Sequence, residues 1–132
     1  MSKNRELPFH LQVGQWGEEV AEAYLRRKGW KRLERNWRGG GGEIDRIFRS
    51  RQTVIFVEVR VRKFATWPPP YFTIRPKKKQ VLRRAARAYL RTLHRRPTVV
   101  RFDVVAIQYV SRSDYELHHA ENVGWLGPWF QW

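Results

Sequence analysis

Two short acidic triplets are the part of this 132-residue sequence best suited to chemistry. Glu43-Ile44-Asp45 opens one predicted strand and Glu58-Val59-Arg60 lies inside the next. Side chains alternate along a strand, so the outer residues of each triplet share a face. If the two strands are antiparallel neighbours, Asp45 and Glu58 meet on the polar side. Such a carboxylate pair suits a hard cation, because Mg²⁺ takes a few oxygens and keeps positions for water and phosphate. A surface ion pair of Glu58 with Arg60 or Arg62 fits the same spacing, and spacing alone leaves both readings open.

The surrounding pattern says which elements must hold these acids. Residues 13–28 read as an amphipathic helix in which Val13, Trp16, Val20, Ala21, Tyr24 and Leu25 share one arc, with Gly29 as a stop. Glu18 sits at the edge of that arc, whereas Glu19 and Glu22 point further away. Residues 31–37 and 43–49 form two predicted strands joined by a turn across Arg38-Gly39-Gly40-Gly41-Gly42. No Gly-Lys-Ser/Thr follows those glycines, which argues against a phosphate-cradling loop. Residues 53–62 carry the clearest strand signal: Ile55, Val57, Val59 and Val61 make one apolar face, and Phe56, Glu58, Arg60 and Arg62 the other. Lys63–Arg75, with Trp67-Pro68-Pro69-Pro70-Tyr71-Phe72, is predicted as a loop, because prolines remove donors.

Pro76 suits the first turn of a second helix over 76–95. Leu82, Ala85, Ala86, Tyr89, Leu90 and Leu93 form its buried arc, and Lys77, Arg84, Arg87, Arg91 and Arg95 its opposite, basic face. Lys78 falls on the apolar side at the helix start, where it snorkels to water or reaches an anion. Residues 99–110 read as a buried strand and 115–119 as a short one, followed by an aromatic tail from Trp125 to Trp132. The order helix, three strands, helix, strand predicts a single α/β domain, one mixed sheet with helices against it.

Charge and composition narrow the partners. Lys and Arg number 27 against 12 Asp and Glu, a formal charge of +15, and there is no cysteine. Disulfides, thiolate metal sites and a cysteine nucleophile are therefore excluded. The start of the chain has no apolar signal core, so a soluble cytoplasmic protein is expected. From Arg60 through Phe102 there are 14 Lys or Arg, Arg60 included, and no acid. A folded surface presenting that stretch attracts polyanions, and nucleic acid is the first partner to consider. His118 and His119 would face opposite sides of a strand, which argues against a shared metal, and Asp103 in an apolar strand reads as a core acceptor.

Five segments together resemble the YraN family: Gly14-x-x-Gly17-Glu18, Gly42-Glu43-Ile44-Asp45, Phe56-Val57-Glu58-Val59-Arg60, the Lys78 helix with Ala86-x-x-Tyr89-Leu90, and Arg101-Phe102-Asp103-Val104-Val105. This bacterial family is assigned to the restriction-endonuclease-like, PD-(D/E)XK nuclease fold, and the resemblance covers about residues 12–122. It implies a DNA endonuclease using Mg²⁺ or Mn²⁺, with Asp45, Glu58 and the Val59 carbonyl as ligands and Glu18 as a further or water-mediated one. Arg60 stands where such nucleases carry a lysine, and Lys78 would supply a cation to the phosphate. The resemblance further implies structured or branched DNA as substrate and a homodimer; RNA remains a second nucleic-acid partner. Lys77, Arg84, Arg87, Arg91 and Arg95 are the expected DNA contacts, with Trp67 a base-stacking candidate. Two residues depart from the pattern. Arg60 cannot act as a general base, which leaves a non-catalytic nucleic-acid-binding module as the alternative. Arg46 follows the Asp where the family prefers an apolar residue, so its charge must leave the core or find a partner.

Overall fold

The computed structural model describes residues 8–64 and 74–132. Its elements are α1 (Phe9–Arg27), β1 (Lys31–Gly39), β2 (Gly42–Ser50), β3 (Thr53–Lys63), α2 (Pro76–Leu90), β4 (Val99–Ser111) and β5 (Asp114–Ala120). The five strands form one sheet in chain order, β1-β2-β3-β4-β5. Neighbours are antiparallel except β3 and β4, which run parallel. A parallel pair needs a long crossover, and α2 lies within that connection.

Alternation along β3 divides the core in two. Val54 and Phe56 pack with Leu82, Ala85, Ala86 and Tyr89 of α2, while Ile55 and Val57 pack with Trp16, Ala21 and Leu25 of α1. The sheet therefore carries a helix on each face. Gly17 allows the close crossing of α1 over β3, since a Cβ there would collide with Cγ2 of Val61. The β1–β2 hairpin turns through Gly40 and Gly41, at φ +60° and +82°, the left-handed pair of a type I′ turn. Its tip is seated on α2, where a Cβ on Gly40 would lie 2.6 Å from the Arg84 carbonyl oxygen.

Three boundaries differ from expectation. Helix α1 begins at Phe9, four residues early, because the Phe9 ring packs edge-on against Trp16 and Tyr109 at 5.2 and 5.5 Å. Helix α2 ends at Leu90 and not at residue 95: Thr92 turns its hydroxyl back to the Tyr89 carbonyl at 2.6 Å, and Pro97 lies ahead. Arg91 and Arg95 thus lie beyond the last helical turn. The short final strand is a full member of the sheet, paired with β4 from Val104↔Ala120 to Ser111↔Asp114, so the complete order is αβββαββ. Among the described residues no helix is long and apolar enough to cross a membrane.

Candidate functional site

The regular β2–β3 ladder runs from Ser50↔Thr53 to Arg46↔Val57. Asp45 and Glu58 are the next pair beyond it, on the α2 face. Asp45 caps the splayed end: its Oδ2 accepts the Val59 backbone N–H at 2.8 Å. Burial, reinforced by the facing Glu58 and then by Glu18, pushes the Asp45 carboxyl from 3.8 up to about 8. Glu58 Oε2 is buried without a hydrogen bond, and the Lys78 ammonium stands 3.3 Å from it. Lys78 therefore reaches an anion, as its inward helical angle requires. Val59, Arg60, Arg62 and Arg75 join Glu58 and Lys78 around a cavity of about 410 Å³.

Arg60 lines that cavity but turns its guanidinium to the Trp125 ring, 5.1 Å from its centroid. Desolvation lowers the Arg60 pKa, with Glu58 opposing the shift. Glu18 is held elsewhere. Its Oε1 accepts the Asn36 amide at 2.7 Å and Arg46 Nη1 at 2.9 Å. The same Arg46 nitrogen donates to the Asp45 carbonyl at 2.8 Å, so one guanidinium ties Glu18 to the backbone of the acid strand. Asn36 adopts φ +44°, a left-handed position that asparagine tolerates.

Arg46 finds the partner its position demands in Glu22, whose Oε1 accepts Arg46 Nε at 2.9 Å. This corrects the expectation that Glu22 points away: it is 6 % exposed, and Arg32 and Arg35 of β1 also donate to it. Hydrogen bonding from Arg35, and then from Arg32, holds its carboxyl near 2 against the opposing effect of burial. The helical arc alone does not find Glu22. The signal that does is Arg46, a charge set beside the buried Ile47 and Phe48 that must find a partner.

The expected basic face is only partly free. Lys77, Arg84, Arg91 and Arg95 are exposed. Arg87, expected on that face, is partly covered instead: its Nε donates to the Gln131 carbonyl at 3.0 Å and its guanidinium lies over Phe130. Arg83 likewise donates to the Trp125 carbonyl at 2.9 Å, so these two arginines hold the C-terminal tail on α2. Trp67 lies outside the described residues. Glu43 stays at the hairpin with Arg38, 3.5 Å away. Asp103 is the core acceptor expected: burial alone would raise its pKa, but His119, the Asn122 N–H and Arg101 together draw it below the ordinary value.

Among the described residues no three carboxylate or histidine side chains form a chelating group. Two facing carboxylates, one with a buried oxygen that makes no hydrogen bond and faces the Lys78 ammonium, nevertheless fit a hydrated Mg²⁺ or Mn²⁺, which needs one or two carboxylates and fills its remaining positions with water and phosphate. The Val59 carbonyl adjoins the same gap, since its N–H bonds Asp45 there and an extended residue directs both backbone groups to one side.

A mixed sheet with a helix on each face and paired acids where two strands part is compatible with the restriction-endonuclease-like α/β class. Residues 17–107 match the family described as "Uncharacterised protein family UPF0102". A UPF0102 protein of Syntrophomonas wolfei is 40% identical over 114 residues, covering 86% of this chain and 98% of that one. Another from Pelobacter propionicus is 33% identical over 117 residues (87% and 84%), and one from Geobacter sulfurreducens 36% over 110 residues (83% and 86%). The chain belongs to the UPF0102, or YraN, family.

Proposed function

We propose that this protein is a metal-dependent DNA endonuclease that hydrolyses phosphodiester bonds, with branched or structured DNA as its substrate. The carrying observation is the juxtaposition of Asp45 and Glu58 at the end of the β2–β3 ladder, with the Lys78 ammonium 3.3 Å from Glu58. Mg²⁺ or Mn²⁺ held by Asp45, Glu58 and the Val59 carbonyl would supply an activated water and neutralise charge developing on the phosphoryl oxygens. Lys78 offers its charge to a phosphate oxygen at the mouth of the same cavity. Glu18, locked by Arg46 and Asn36, would face a metal held by Asp45 through a water rather than ligate it directly. Arg60 stays protonated at neutral pH, so its role is to orient a phosphate or a water, not to accept a proton.

The second reading, a nucleic-acid-binding module without catalysis, draws on Arg60 itself: its guanidinium is engaged by Trp125 where related nucleases carry a lysine. A cleavage assay on linear, flapped and four-way DNA with Mg²⁺ or Mn²⁺ separates the two. The expected result is metal-dependent cutting by the wild type, lost in Asp45→Ala and Glu58→Ala while DNA binding persists. Intact binding with no cutting by any of the three proteins favours the module. Gain of cutting in Arg60→Lys alone identifies Arg60 as the lesion.

A further inference from the structure

A second cluster of charge lies at the other end of the sheet. Lys28 and Gly29 after α1, Lys31 at the start of β1, Arg49 and Arg51 around the β2–β3 turn, and Arg95 beyond α2 surround a cavity of about 750 Å³. Three separate stretches of chain thus deliver five cations and no acid to one opening. None of the five has a carboxylate within ion-pair distance among the described residues. Arg49 is the most committed of them. Its Nε donates to the Arg51 carbonyl at 3.0 Å and its Nη1 to the Arg95 carbonyl at 3.1 Å, while Nη2 is buried with no hydrogen-bond partner.

A guanidinium fixed on two carbonyls keeps its full charge, and a buried donor left unmet is costly. Five cations drawn together repel one another, and burying part of one sharpens that repulsion. Such an arrangement is relieved by an anion. We propose that this cavity is a binding site for the phosphodiester backbone of nucleic acid, separate from the acidic pair. Arg49 lies four residues along β2 from Asp45, about 13 Å at strand rise, so a phosphate held here is not the one beside Asp45 and Glu58. A nucleic-acid strand is favoured over a small anion because the opening is broad and its charge is spread over several exposed side chains. Polyelectrolyte binding gains most from that arrangement, one counterion being released per contact. The site requires neither metal nor cutting, and so stands apart from the nuclease reading.

The test uses the full chain in EDTA with a short fluorescent DNA duplex, comparing wild type with Lys31→Glu/Arg51→Glu, both changes being at exposed positions. The expected outcome is a Kd raised roughly tenfold or more and a slope of log affinity against log salt shallower by about 2, one lost contact per reversed charge. In parallel, the backbone amide resonances of Gly29 and Ser50 are followed by NMR during titration of the wild type with the duplex and, separately, with inorganic phosphate. Saturating shifts with DNA support the site. DNA binding that leaves these amides unmoved, or an unchanged Kd in a variant shown by circular dichroism to be folded, overturns it. Shifts with inorganic phosphate that DNA neither reproduces nor competes away assign the cavity to a small anion and also overturn it. Because no metal is present, failure here leaves the cleavage assay undecided, and failure of that assay leaves this site intact.

Discussion

A carboxyl group held near pKa 8 keeps a proton that the unfolded chain releases near 3.8. Between those values the folded state of the metal-free protein binds more protons than the unfolded state, so Asp45 lowers stability progressively as pH rises from about 4 to about 8. Asp45→Asn removes that titration. Urea midpoints of the metal-free proteins are expected to fall more steeply for wild type than for the variant across this window. Mg²⁺ is expected to raise the wild-type melting temperature more at pH 8.5 than at pH 6, because binding must displace the proton, and to leave Asp45→Asn unmoved. Superimposable pH profiles would show that Asp45 is an ordinary carboxylate. The closeness of Asp45 and Glu58 was legible in the sequence because period-two alternation sets the faces of both triplets and only the short Arg51-Gln52 connection separates β2 from β3, which favours an antiparallel hairpin. The protonation state was not, since it depends on how deeply the ladder end is covered.

At the scale of elements, Glu22 is the buried acid that clamps α1 to β1 and β2, with Glu18 beside it. Glu22, 8 % exposed at its side chain, accepts hydrogen bonds from Arg32, Arg35 and Arg46, and Arg46 is itself 4 % exposed. Removing the acid strands a buried guanidinium, a loss of about 3 kcal/mol with Glu18 still on the other arm of Arg46. Glu22→Ala is expected to show that deficit in urea unfolding at pH 7. The sign with pH is opposite to that of Asp45. A carboxyl lowered from 4.5 to about 2 stabilises fully above the higher value and ceases to do so as pH falls through the lower, so the two proteins converge near pH 2. Equal stability at pH 7 would mean that solvent replaces the clamp. Helix periodicity places Glu22 relative to its own arc only. Which cations surround it is decided by where β1 and β2 lie, and one helix read alone does not contain that information. The end of α2 was harder to read because Leu93 continues the apolar period after the backbone has already turned at Thr92; Pro97 was the available warning.

The molecule as a whole has two apolar layers, and they are closed differently. Helix α1 covers one face of the sheet; α2 covers the other, together with the C-terminal tail, through Trp125 and Leu126. The tail's tryptophans look alike in the sequence, yet Trp125 is 3 % exposed and Trp129 89 %. Trp125 packs 5.3 Å from Phe102 and receives Arg60, while its carbonyl holds Arg83, so it joins the sheet, α2 and the rim of the acid site. Trp125→Ala is expected to cost about 3–5 kcal/mol by opening a cavity and withdrawing those contacts. Trp129→Ala is expected to change stability by less than about 0.5 kcal/mol, as exposed substitutions do. Chemical denaturation of the two variants measures both numbers, and a small loss for Trp125→Ala would show that the α2 layer is stable without its tail. The same pair bears on mechanism: Trp125→Ala removes the ring that lies against Arg60 at the cavity beside Glu58, so it is expected to weaken DNA binding beside the acids at temperatures where the variant remains folded. Trp129→Ala, which leaves Arg60 in place, is the control that separates this positional effect from loss of an exposed aromatic surface.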